Sequence, residues 1–369
     1  MRNCVWTFAF SVLLLAAISN CRPHLKCDPT DPACDPEMGL AFLSLLGSRV
    51  VAWPHSGLNN CYDDTIIFAC PVSGFARQDG DSFRARKFVV SDDGTTVLDQ
   101  ETELNWQRCV LGHSWDGATC GGTAQSLTQS GGETACQALA ASSSGEWRLP
   151  TFRELSTIHQ YDGSSPALDL SVFIGTPVAS GYWSSTPYLG NPGNAIATNL
   201  GTGAVISYST ALNRYIICVS GPNYANASFR VVQSGIVQDV ETGSYWTTCP
   251  LMTAGALDTD AGCAGADAME TWSAALQSCA NLDGTAGISG WRLPTLREML
   301  SVPDFSSLAG SMMNDSFFPG APTDVWTATT AVFNGLNTAF ALQLGAVNFQ
   351  TQTPAKTTTI AHYCISSGK

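Results

Sequence analysis

The sequence predicts an α+β protein made of two tandem, disulfide-stapled modules. Three observations carry that expectation. Trp147-Arg148-Leu149-Pro150-Thr151 recurs 144 positions later as Trp291-Arg292-Leu293-Pro294-Thr295. Cysteines recur in step with the motif. Short β-branched and aromatic runs alternate with Gly-rich loops and two helical stretches per copy. A chain of 369 residues exceeds one typical core, and 44% hydrophobic content is globular.

The first twenty residues stand apart. Arg2 gives a positive start, and Val5 to Ile18 is an apolar run of 14 residues, right for a signal and short of a bilayer span. Its end, Ile18-Ser19-Asn20-Cys21, resembles a lipobox of the loose spirochaetal kind. Residues 1–20 then form a lipoprotein signal peptide and Cys21 is the lipid acceptor; the alternative is ordinary cleavage nearby, with Cys21 in a disulfide. Lipid on Cys21 would make the membrane a partner. The expected address is the cell envelope, anchored at the outer membrane and exposed at the surface.

Of 14 cysteines, setting aside Cys4 and Cys21 leaves an even 12, suited to six bridges in an exported protein. Net charge is −13, and removing the leader, whose one charged residue is Arg2, takes it to −14. That excludes nucleic acid and disfavours sulfated polyanions as ligands.

Residues 21–50 read as a tether with a short apolar helix, Met38 to Leu46. Prolines and small polar turn formers dominate its start. Cys27 and Cys34 are near enough to close a small loop, and this Cys-Asp-Pro-rich stretch resembles the start of leptospiral surface lipoproteins. In residues 51–88, Cys61 and Cys70 flank an apolar run, Thr65 to Phe68, as in a stapled hairpin. Arg84, Arg86 and Lys87 form a basic cluster expected on a solvated strand face.

The copies span 89–221 and 222–369. Asp99-x-x-Thr102 before Trp106 aligns with Asp239-x-x-Thr242-Gly243 before Trp246, a hairpin-turn signal. Cys109 and Cys120 align with Cys249 and Cys263 across Gly-rich loops. An acidic-headed helix follows, from Glu133 in the first copy and Glu270 in the second. In the shared motif, Thr151 with Glu154 and Thr295 with Glu298 have the spacing of a capping box, Pro150 and Pro294 keep the entering chain extended, and Trp147 and Trp291 can anchor it. Tyr182 to Thr186 aligns with Val325 to Thr329 as a strand. Each copy closes on a short run containing Cys218 or Cys364. The alignment gives the economical pairing Cys109–Cys120, Cys249–Cys263, Cys136–Cys218 and Cys279–Cys364; other pairings stay open.

With these residues in place, the copies resemble the Lcl C-terminal domain family, the C-terminal domain of collagen-like bacterial surface proteins. The resemblance rests on Asp-x-x-Thr before Trp, Cys-loop-Cys, Trp-Arg-Leu-Pro-Thr-x-x-Glu and Tyr182-Trp183-Ser184-Ser185-Thr186. Glu103 stands where the family has the turn glycine, and the second copy is more diverged. The Arg-Leu-Pro-Thr-x-x-Glu core also resembles the formylglycine-generating proteins. Both resemblances imply a C-type-lectin-like fold, in which a disulfide ties the first helix to the last strand. The resemblance to the Lcl C-terminal domain family implies a surface-displayed binding module, some members being adhesins for glycosaminoglycans or matrix components.

Arg148 with Glu154, and Arg292 with Glu298, could form a charged site; internal pairing that fixes the helix entry is the simpler role. Trp183 and Trp326 could stack on sugars but fit a core better. Asp258-Thr259-Asp260 and Asp92-Asp93-Gly94 lack the alternating ligand loop of calcium sites and read as solvated turns. The five histidines have no zinc spacing. No nucleophile elbow, phosphate loop or dinucleotide fingerprint occurs, so no catalytic residue, cofactor or metal is expected. Ligand contacts are expected on loops, at Tyr188, Asn191 and Asn194 in the first copy and Asn334 and Asn337 in the second. The expected function is a surface binding module or adhesin for a glycan or matrix ligand. The alternatives are an oxidative enzyme of the formylglycine-generating kind and a structural envelope protein.

Overall fold

The computed structural model describes residues 53–368, except 64, 141–145, 163–166, 253–254, 261, 266, 306–311 and 346–348. Cys21, the Cys27 and Cys34 pair and the Met38 to Leu46 stretch lie outside the described residues. Among the described residues, no helix is long and apolar enough to cross a membrane.

Strands dominate, and each copy contributes one long-sheet face and one four-stranded sheet. In the first copy the four-stranded sheet runs Val219–Ser220, Asn105–Gln107, Thr96–Asp99, Phe88–Val90. The second copy reproduces it with Ile365–Ser366, Tyr245–Thr247, Ile236–Asp239 and Phe229–Gln233. Closing strand and opening hairpin are therefore neighbours in both. The hairpin turn needs a left-handed residue: Gly243 holds φ 70°, and Glu103 holds 60° at the same place. Glycine adopts that conformation without cost, whereas Glu103 does so against its Cβ.

The other sheet carries the Trp-bearing strand. Gly181–Tyr188 pairs with Asn194–Asn199, which pairs with Val205–Ser209. Its counterpart is Asp324–Thr330, Ala339–Leu344 and Phe349–Gln352. Trp183 and Trp326 are fully buried on these strands. Their indole N–H groups donate to the Leu127 carbonyl at 3.0 Å and the Glu270 carbonyl at 2.9 Å. Burial of a Trp with its one donor satisfied makes it core rather than a sugar platform.

Four helices complete the copies: α1 (Gln129–Ala140), α2 (Phe152–Leu155), α3 (Trp272–Ala280) and α4 (Leu296–Leu300). Helix α1 starts at Gln129, so Glu133 lies in its second turn and does not head it. Thr128 caps α1, its Oγ1 accepting from the Gly131 N–H at 3.2 Å, whereas Thr271 precedes α3 without a side-chain cap bond. Disulfides Cys136–Cys218 and Cys279–Cys364 tie α1 and α3 to the end of each copy, and Cys109–Cys120 and Cys249–Cys263 close the local loops. These are the pairs the alignment of the copies gives. Cys61–Cys70 staples a hairpin of Cys61–Tyr62 and Ile67–Phe68, whose Ile66 and Ile67 face solvent.

Residues 50–369 form one compact unit, because the copies bury apolar faces against each other. One cluster joins Phe152, Tyr161, Tyr188, Ile196 and Val205 to Leu296, Phe305, Phe318, Phe340 and Phe349. Phe152 meets Phe305 and Phe349 edge-on at 5.4 and 5.8 Å, a favoured aromatic geometry. Tyr188 is thus part of the shared core, which corrects its placement among ligand contacts: an aromatic after an alternating strand is drawn to the nearest apolar face.

The leading segments cross over. The segment before the first copy straps the second: Arg77 binds Asp283 and the Trp291 carbonyl, Lys356 Nζ donates to the Asp63 carbonyl at 2.8 Å, and Thr329 Oγ1 donates to Asp79. The linker before the second copy, residues 221–228, lies on the first. Arg86 is also corrected. Its side chain is buried, with Nη2 2.9 Å from Asp99 Oδ2, and its guanidinium sits 4.4 Å over the Phe88 ring. A solvated face was expected because Asp99 is remote in the sequence pattern until the hairpin folds.

Candidate functional site

The repeated pentapeptide builds the same local device twice. Arg148 and Val219 exchange backbone hydrogen bonds of 2.9 Å, as Arg292 and Ile365 do at 2.9 and 2.8 Å, so the motif lies beside the closing strand. The Pro150 and Pro294 carbonyls accept from Ser185 and Ala328, at 2.8 and 2.7 Å, which fastens it to the Trp-bearing strand as well. Trp147 and Trp291 are buried. Extended chain before the proline, enforced by its ring, is what lets both sides pair.

Both capping boxes form. Thr151 Oγ1 accepts from the Glu154 N–H at 3.2 Å while Glu154 Oε2 accepts from the Thr151 N–H at 2.9 Å. In the second copy the distances are 3.2 and 2.8 Å for Thr295 and Glu298. A further orphan amide is met from the strand: Phe152 N–H donates to Thr186 Oγ1 and Leu296 N–H to Thr329 Oγ1, each at 2.8 Å.

Each cap glutamate also takes an arginine in bidentate fashion. Arg148 reaches Glu154 at 2.5 and 2.8 Å, and Arg292 reaches Glu298 at 2.7 and 2.5 Å. Planar fork against planar carboxylate is the geometry arginine supplies and lysine does not. Burial acts to raise the Glu298 carboxyl, but Arg292 and the Thr295 hydrogen bonds outweigh it and hold the group below the usual range.

The copies then diverge. Over the first motif lies the linker: Arg148 Nη2 donates to the Pro222 carbonyl at 2.6 Å, Tyr224 N–H donates to Glu154 Oε1 at 2.8 Å, and Thr151 Oγ1 donates to the Tyr224 carbonyl at 2.9 Å. The Tyr224 hydroxyl donates to the Thr102 carbonyl at 2.9 Å, and its ring stands edge-on to Trp53 at 5.8 Å. Glu154 is 0% exposed as a result, against 18% for Glu298. Beside the second motif is a cavity of about 460 Å³ lined by Arg292, Thr295, Glu298, Thr242, Ser244 and Trp246 together with Trp53, Ser82 and Arg84.

The remaining sequence candidates are dispersed. Asn191 is exposed and Asn194 half-buried on one hairpin end, and Asn334 and Asn337 are exposed on its counterpart. Asn334 Nδ2 donates to Thr353 Oγ1 at 2.5 Å. Asp258 is buried, its carboxylate accepting from the Asp260 and Gly265 amides at 2.8 and 3.1 Å, so it is a loop brace and not the solvated turn expected of it. Asp93 does sit in an exposed turn.

Buried imidazoles serve the core. His159 contacts the Tyr161 hydroxyl at 3.1 Å and the Thr198 hydroxyl at 2.8 Å, and burial pulls it down to about 3. His362, beside the Cys279–Cys364 bridge, is likewise pulled down to about 4 by burial. Those two sulfurs are spent on each other, so the group is a poor metal site. All ten cysteines among the described residues are in disulfides.

Sequence reasoning missed the cavity. Its signal was the linker itself, Gly221-Pro222-Asn223-Tyr224, which follows the first closing strand. Compared with known proteins, two stretches match a described domain, the Lcl C-terminal domain: residues 95–220 and residues 235–365. No curated protein matches the chain.

Proposed function

The chain belongs to the Lcl C-terminal domain family in tandem duplicate, and on that premise we propose that it is an exported envelope lipoprotein that works by binding. One observation carries the reading: a rigid double module presents a polar-walled cavity of about 460 Å³ beside the second motif. That size suits a small ligand or a short peptide segment, and concave sites with a few fixed polar groups are where ligands settle. Five disulfides and a shared core keep the walls preorganised, which reduces the entropy lost on binding.

Two finer statements belong to the same reading. The units are C-type-lectin-like, on the strength of the bridges from first helix to final strand. In the same reading lipid on Cys21 holds the protein at the envelope, with the exposed Asn191, Asn334 and Asn337 and the half-buried Asn194 available to a glycan or matrix ligand. An oxidative enzyme would need a reactive thiol, and the described cysteines are engaged in bridges.

The test joins address and ligand. Palmitate labelling should be lost in Cys21→Ser, protease added to intact cells should degrade the protein, and arrays of glycans and matrix proteins should give a positive with the mature chain. Blank arrays, with a folded protein, would replace the binding reading by a structural one.

A further inference from the structure

We propose that the cavity beside Arg292 and Glu298 is a docking groove for an extended, tyrosine-bearing peptide segment of another protein. This rests on the reading that the chain acts by binding, and it names the class of partner. The argument comes from the molecule's own duplication. The first copy shows what its motif binds when a chain lies on it: a carbonyl on the arginine fork, an N–H on the glutamate, a carbonyl on the threonine hydroxyl, and a phenol reaching the hairpin carbonyl. Pro222 and Tyr224 are the residues that make these contacts, two apart as in an extended strand.

The second copy has the same groups in the same order. Arg292 and Glu298 hold the same bidentate pair, and Thr295 the same capping geometry. Thr242, at the place of Thr102 in the hairpin, lines the cavity together with Trp246. Among the described residues no N–H takes the place of Tyr224 on Glu298, and no carbonyl takes the Thr295 hydroxyl. The segment that should mirror the linker instead forms a tight turn, Asp79–Ser82, and then runs past: Phe83 packs on His55 at 5.4 Å, and Arg84 turns to the Trp53 carbonyl at 3.3 Å. Ser82 and Arg84 thereby line the groove.

Backbone-to-side-chain bonds of this kind ask for an extended main chain and little of its sequence. Selectivity falls on the aromatic, which must fit between Trp53, Trp246 and the Thr242 carbonyl. A proline two residues before it favours the extended form in the free peptide and lowers the entropy lost on docking.

The probe is the blocked hexapeptide of residues 221–226, Gly-Pro-Asn-Tyr-Ala-Asn, titrated into the mature full chain by calorimetry. One peptide per chain is expected, with a dissociation constant on the order of 10⁻⁵ to 10⁻³ M. Replacing its tyrosine by alanine should weaken binding at least about tenfold. Ser244→Trp, which fills the groove, should abolish it. Should that variant misfold, a peptide carrying benzoylphenylalanine at the tyrosine position should photocrosslink to residues 242–246 or 292–298 of the unaltered protein. No saturable binding at about millimolar peptide, or crosslinks elsewhere, overturns the proposal. So does a concentration-dependent dimer that Ser244→Trp dissolves, since the occupant would then be a second copy of this chain. A positive glycan array with no peptide binding removes the peptide class and leaves the binding reading standing; failure of both removes both.

Discussion

The Arg153 guanidinium of the first copy lies 3.5 Å from the Asp239 carboxylate of the second, with both side chains almost wholly buried. Arg153 also binds Glu241 and sits 4.5 Å over the Trp53 ring. The counterpart, Arg297, is buried against the His55 carbonyl, because Arg86 already occupies Asp99 in the first hairpin. Burial first, then the neighbouring Arg86 charge, pulls Arg297 down to about 9, so it stays cationic at neutral pH.

Removing one partner of a buried pair leaves the other charge uncompensated. Arg153→Ala should therefore cost about 3–5 kcal/mol. Guanidinium unfolding should show a single transition moving to lower denaturant, because the copies share a core. Two separated transitions, only one of them shifted, would mean the copies unfold independently.

The cap glutamates should differ although their motifs match. Glu154→Gln disturbs the Arg148 fork and an acceptor of the Tyr224 N–H at 0% exposure; Glu298→Gln acts where water reaches the group. The first should destabilise by about 2–4 kcal/mol and the second by about half that or less. Equal losses in thermal or chemical unfolding would show that the linker adds nothing to the first site.

Bridge length should order the cysteine variants. Cys136–Cys218 spans 82 residues and Cys109–Cys120 spans 11. Constraint of the unfolded chain makes the long one worth about 4–5 kcal/mol and the short one about 3 kcal/mol. Paired Cys→Ser variants measured in denaturant test that order, and a reversal would point to strain or residual structure in the unfolded chain.

Stability should fall in mild acid. Burial pulls His159 to about 3 and His362 to about 4, from an ordinary value of 6.5. Between those values the unfolded chain binds more protons than the folded one, so stability is complete above pH 6.5 and declines as pH drops toward 4. Asp283 acts later. Its hydrogen bond with Arg77 leads in holding it to about 2, so that contribution is present above its unfolded value and lost as pH falls through about 2. Calorimetry from pH 7 downward at constant ionic strength should show Tm beginning to drop near pH 6.5; a flat Tm to about pH 4 would refute the histidine assignment.

By itself the sequence determined the duplication and the capped helices after Trp-Arg-Leu-Pro-Thr, and it favoured the cysteine pairing and the core placement of Trp183 and Trp326 that the structure then fixed. All of these follow from local spacing, or from comparing one copy with the other. Only the tertiary structure decided that Tyr188 joins a core between the copies, that Arg86 goes to Asp99, and that one motif is covered by Tyr224 while its twin borders a cavity. Such outcomes depend on which surfaces meet. Apolar burial is non-directional and ion pairing is short-ranged, so neither leaves a periodic mark along the chain by which it could be read in advance.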